Sequence, residues 1–136
     1  MRQRDSQRSK VYSMERSFPF PKPKIDLKQS QKIVNRIWKA YGIKVPPPIV
    51  EIRAGNARRS CANRWTVSIA PHDLTPWVII HEVTHSLLHH FSMTDRKFMD
   101  KKMAWHDKHF ASVVTFLYEH MLGVDRSTMM RYGNAF

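Results

Sequence analysis

The stretch Pro76-Trp77-Val78-Ile79-Ile80-His81-Glu82-Val83-Thr84-His85-Ser86-Leu87-Leu88-His89-His90-Phe91 decides how this chain is read. Thr75-Pro76 opens it with a hydroxyl at the cap and proline at the first helical position, where a missing N–H costs nothing. Trp77, Val78, Ile79, Ile80, Val83, Leu87 and Leu88 then cover most of the helical circumference, so the helix is predicted to be buried. Into this apolar cylinder the sequence sets His81-Glu82-Val83-Thr84-His85. Residues four apart share a helix face, so both imidazoles can meet one ion. Glu82 is turned about 100° from His81, within reach of a water on that ion. Eight histidines and four glutamates scattered at random over 136 residues would give such a pentad roughly 0.01 times. Two imidazoles and a carboxylate are costly to bury in so apolar a helix without a strong partner, and a cation is the expected one. Zinc suits the chemistry: it brings a bound water to a pKa of about 7, the carboxylate takes the proton, and the ion polarises a carbonyl.

A catalytic zinc needs a third protein ligand with a water in the fourth position. A third histidine six residues after His85, the metzincin spacing, is excluded because that position is Phe91. His89 and His90 follow too closely on the same helix to wrap around the ion, although His89 lies on the metal-facing stripe. A further helix is predicted from about Ala104 to Leu122, with Gly123 past its end and an apolar stripe of Phe110, Val113, Val114, Leu117 and Met121. At 100° per residue, His106 falls about 35° from the centre of that stripe and His109 nearly 100° away. His106 is therefore the expected third ligand, with His109 in reserve and Glu119 third.

His81-Glu82-Val83-Thr84-His85 followed by His106-Asp107-Lys108-His109-Phe110 resembles the HExxH and HGxxF pair of SprT-like zinc metalloproteases, over about residues 75–124. In that family the histidine opening the second motif is the third ligand, which the resemblance places at His106. Phe110 agrees, and Asp107 stands where the family has glycine. Over nearly the whole chain the sequence is also similar to a small family of HExxH metallohydrolases of actinobacteria and their phages. That likeness rests on the metal motifs, on Val11-Tyr12-Ser13-Met14-Glu15, on an arginine-rich hairpin before the metal helix and on Arg131-Tyr132-Gly133.

Upstream of the metal helix, Trp65 to Ile69 alternates large and small polar residues and Ile49 to Arg53 follows three prolines, so a short antiparallel sheet is predicted with Ala54 to Asn63 as its turn. Trp65 to Ile69 is the candidate edge strand for holding a peptide by strand addition. Ile33, Ile37, Ala40 and Tyr41, with Val34 and Trp38 beside them, predict a helix capped by Asp26 and ended by Gly42. Residues 1–24 are basic and proline-rich and read as an arm, leaving 25–136 as a single domain. Residues 92–103 read as a charged connection, and Arg126 to Phe136 as a last helical turn or docked tail.

A formal charge of +12 surrounds the chain with a positive field, which favours acidic partners and raises DNA or RNA contact through the basic surface. Arg53, Arg58, Arg59 and Arg64, with no acid among them, form a candidate phosphate or acidic-partner site. Trp38, Trp65, Trp77 and Trp105 are expected in or near the core. Tyr118, His109, His120, Arg131 and Tyr132 are candidate oxyanion donors. Cys61, the single cysteine, cannot form an internal disulfide. The longest apolar run, Trp77 to Ile80, is far short of the roughly 20 residues of a membrane span. No secretory signal is visible, and a reducing, cytoplasmic compartment is the expectation.

The expectation is an α+β, zincin-like fold, with a short antiparallel sheet packed on the metal helix and a later helix carrying the third ligand. His81, His85 and His106 would hold one Zn2+ and Glu82 would act as general base in peptide hydrolysis. The SprT-like resemblance and the charge together suggest substrates associated with nucleic acid. The alternative is a noncatalytic basic nucleic-acid-binding or assembly module in which zinc staples two helices.

Overall fold

The computed structural model describes Glu15, residues 23–94, residues 108–125 and residues 127–129. The expected third ligand His106, Trp105, Arg131 and Tyr132 lie outside them, as does most of the arm. The chain is a mixed α and β protein, and it divides into two compact units. One is Lys22–His90; the other is drawn from Met1–Pro21 and Phe91–Phe136.

The first unit begins with helix α1, Leu27–Ala40. Asp26 caps it as the sequence predicts: its Oδ1 accepts the Gln29 N–H at 2.7 Å and the Gln29 side chain accepts the Asp26 N–H at 3.0 Å. Gly42 closes the other end at φ +67, with its N–H on the Lys39 carbonyl. The buried face is Ser30, Val34, Ile37 and Trp38, rotated from the expected stripe so that Ala40 is exposed and Ile33 half-buried. The rotation follows from Trp38, whose indole N–H donates to the Val45 carbonyl at 3.0 Å and draws its face inward.

Strands β1 (Ile49–Ile52), β2 (Cys61–Ala62) and β3 (Thr66–Ile69) form one sheet in the order β1-β3-β2. The expectation of an antiparallel sheet is corrected here. β1 and β3 are parallel, with Ile49 opposite Thr66 and Ile52 opposite Ile69, and only β2 and β3 are antiparallel. The separating stretch, residues 53–65, is too long for a tight turn. It carries the chain back to the start of β1, the crossover of about a dozen residues that parallel neighbours need. β2 forms inside that crossover, and Asn63 Oδ1 accepts the N–H groups of Trp65 and Thr66 to turn β2 into β3. β3 is therefore the central strand, and it is not available as the substrate-binding edge.

Val50, Val67 and Ile69 face the core, while Ser68 Oγ donates to Glu51 Oε1 on the opposite face. Gln31 ties α1 to β1 by donating to the Pro48 carbonyl and accepting the Val50 N–H, mimicking a neighbouring strand at that edge. A 3-10 turn, Pro71–Asp73, leads to helix α2, Pro76–Thr94. The Thr75 carbonyl accepts the Ile79 N–H, but the Thr75 hydroxyl, expected as a cap, is buried and makes no hydrogen bond among the described residues.

In the second unit, helix α3 (Lys108–Leu122) buries Phe110, Ala111, Val114, Leu117 and Tyr118 and exposes Ser112, Phe116, Glu119 and His120. Gly123 ends it at φ +69. The Tyr118 hydroxyl donates to the buried Glu15 carboxylate at 2.5 Å, so the arm supplies a fixed contact to α3. Residues 127–129 make a short helical turn, where Asp125 Oδ2 accepts from the Thr128 N–H and hydroxyl. Among the described residues no helix is long and apolar enough to cross a membrane.

Candidate metal centre

Helix α2 is buried continuously from Val78 to Leu88, as its all-round apolar composition requires. Its polar side chains within that span are His81, Glu82, Thr84, His85 and Ser86. Two of them are accounted for locally. Thr84 Oγ1 donates to the Ile80 carbonyl one turn back at 2.7 Å, and Ser86 Oγ donates to the Asn63 carbonyl at 2.6 Å, anchoring the helix to the turn between β2 and β3.

The other three converge. His81, Glu82 and His85 each offer a ligand atom, and these atoms lie within 4.8 Å of one another. The imidazole centroids are 5.2 Å apart with their planes at 69°, the approach of two rings from successive turns onto a common point. All three side chains are at most 7% exposed. Glu82 Oε2 is buried and accepts no hydrogen bond among the described residues. A carboxylate buried beside two imidazoles favours a positive charge next to it, which a cation would supply. Two imidazoles on one helix face with a carboxylate beside them fit a divalent ion of the zinc type, held by the nitrogens with the carboxylate next to it.

Among the described residues His81, Glu82 and His85 form the group that could hold a metal ion. His89 is half-buried, and burial pushes its imidazole below the usual histidine range. His109 and Glu119, the reserve ligands, are exposed on α3. His120 is exposed and stacks on Phe116, with centroids 5.8 Å apart. Tyr118 is buried, and its hydroxyl donates to Glu15.

Arg64 takes a different part from the one expected. It is buried, not a phosphate-facing turn residue: its guanidinium lies 4.7 Å from the Trp38 ring centroid and donates to the Pro46 carbonyl at 3.0 Å. Burial lowers its pKa. His90 meets the same indole edge-on at 5.5 Å, and its pKa is lowered by burial and then by the Arg64 charge. This Arg64, Trp38, His90 group was missed from sequence because its three members come from three elements. Arg53 donates to the Arg59 carbonyl, which stiffens the crossover and leaves Arg58 and Arg59 exposed. Trp65, expected near the core, is 63% exposed because it precedes β3 at the turn that Asn63 fixes. Cys61 is a free thiol, exposed on β2.

No known family model, curated protein or solved structure matches the chain.

Proposed function

We propose that the protein is a zinc-dependent hydrolase of the zincin type, a metallopeptidase in which His81 and His85 hold the ion and His106 completes the protein ligands. The observation that carries this reading is the buried His81, Glu82, His85 group, whose ligand atoms lie within 4.8 Å of one another on a helix buried from Val78 to Leu88. Zinc, when bound, supplies a Lewis acid for the substrate carbonyl and a water acidified to near neutrality. His81 and His85, four residues apart on one helix face, would hold the ion, and the backbone of α2 sets their spacing. Glu82, on the adjoining face, would serve as general base, taking a proton from the attacking water and returning it to the leaving amine. Ser86 and Thr84 hold the helix and its polar groups in place without competing for the ion. The basic charge of the chain supports substrates that accompany nucleic acid.

The test is Glu82→Gln, which keeps a hydrogen-bonding side chain of the same size and removes the base. Degradation of a panel of basic and DNA-bound proteins is followed with and without chelator. Hydrolysis should be abolished by chelator and reduced about 10²- to 10⁴-fold in the variant, with metal content unchanged. A parent that binds zinc yet cleaves nothing, with Glu82→Gln indistinguishable from it, would assign the ion the stapling role of a noncatalytic assembly module instead.

A further inference from the structure

Helix α1 carries a feature that the metal cluster does not use. Lys28, Lys32, Arg36 and Lys39 stand four, four and three positions apart, which confines them to an arc of about 80° and strings them over about 16 Å. All four are exposed, on the side of the helix opposite Ser30, Val34, Ile37 and Trp38. Lys44, exposed just beyond the Gly42 cap, prolongs the row. None of the five side chains makes an ion pair with a described residue. No acidic residue occurs from Leu27 to Val50, and the nearest one upstream, Asp26, is engaged as the helix cap.

A solvated helix face ordinarily mixes signs, because opposite charges at i and i+4 stabilise it by a few tenths of a kcal/mol and like charges cost as much. Here both i,i+4 pairs, Lys28 with Lys32 and Lys32 with Arg36, are cationic, and no carboxylate relieves them. The row is therefore locally unfavourable in the free protein and favourable against a regular line of negative charge. We propose that this face of α1 is a docking surface for the phosphodiester backbone of a nucleic acid. The indole of Trp38 is buried against the sheet side, and the row contains no aromatic side chain, so the contact is with phosphates and not with bases. Binding is then independent of base sequence and steeply dependent on salt. The repeating charge of a phosphodiester chain matches the repeating cations better than an acidic protein surface, where carboxylates are irregularly spaced. The proposal stands apart from the metal reading and survives its failure.

The experiment measures binding of the full chain to a fluorescein-labelled DNA duplex of arbitrary sequence by anisotropy, from 50 to 200 mM NaCl. Four phosphate contacts give a slope of log K on log salt of about −3.6, an affinity loss of about 150-fold over that range. Lys32→Gln/Arg36→Gln, which preserves helix propensity, should reduce the slope to about −1.8 and the loss to about 12-fold. Lys28→Gln/Lys39→Gln should do the same, and circular dichroism checks that each variant keeps its helix. Arg58→Gln/Arg59→Gln, of equal charge change on the crossover, should leave the slope unaltered. Equal slope changes from the crossover pair and the helix pairs would overturn the proposal, as would helix pairs with the parental slope. Polyglutamate of matched charge bound as tightly as the duplex would overturn it in favour of an acidic protein partner.

Discussion

Replacing Arg64 with alanine should destabilise the Lys22–His90 unit and, at the same time, retune a histidine on another element. The guanidinium contributes a charged hydrogen bond to the Pro46 carbonyl at 3.0 Å, worth about 1.5–3 kcal/mol. Its position 4.7 Å from the centroid of the buried Trp38 ring adds about 1–2 kcal/mol. Against these stands the cost of burying a cation that has no carboxylate partner among the described residues, which the alanine relieves. The net expected loss is about 2–3 kcal/mol, which in a chain of this length lowers Tm by about 6–12 °C. Urea unfolding followed by tryptophan fluorescence measures it. Arg64→Lys, which keeps the charge but loses the planar fork over the indole, should fall between parent and alanine. The second readout is His90. Part of its depressed pKa comes from the Arg64 charge, so in Arg64→Ala its NMR titration should move upward toward the ordinary histidine value. An alanine variant within about 0.5 kcal/mol of the parent, or an unmoved His90 titration, would refute the coupling of Arg64, Trp38 and His90.

Two further outcomes follow from local geometry. His89 and His90 both have folded-state pKa values below the usual histidine value, so the unfolded chain takes up their protons first. Stability of the metal-free protein should therefore fall as pH drops through about 6.5, with the full penalty in place below the folded-state values. Urea midpoints at pH 7.5 and 5.5 test this, and His89→Gln/His90→Gln should flatten the difference; a parent more stable at pH 5.5 would contradict it. Gly42→Ala forces a side chain into φ +67 where nothing lies within 4 Å, so the cost is backbone strain alone, about 1 kcal/mol, and Gly42→Asn should cost less. An alanine variant as stable as the parent by thermal melting would mean that the helix end relaxes to another cap.

The sequence made helix α2 and its burial legible because two signals agree at one place, proline at the first helical position and an all-round apolar pattern, whereas the Thr75 hydroxyl does not cap it. The same local consistency located α1, its capping box and its glycine stop. Sheet topology was not legible, because strand direction depends on where residues 53–65 travel, and a parallel crossover and a long hairpin share the same turn-rich composition. The two-residue strand Cys61–Ala62 is too short for any alternation to announce it. Trp65 was misplaced for a related reason: alternation puts it in register with Val67 and Ile69, but the Asn63 turn takes it out of the sheet. Sequence groups Arg64 with Arg53, Arg58 and Arg59 as a candidate phosphate or acidic-partner site, and only the approach of Trp38 and Pro46 from distant segments makes its buried guanidinium tolerable. The basic row on α1 was in plain view as a run without acids, yet it gained meaning only once the exposed face of the helix was fixed.

The proposed hydrolysis requires a cation gripped by side chains of α2, and elemental analysis of the purified protein measures it most directly. The parent should hold close to one zinc per chain, with the metal lost in His81→Ala and in His85→Ala while circular dichroism shows the helices retained. A parent free of zinc after purification and reconstitution, or either variant holding the metal as firmly as the parent, would contradict it.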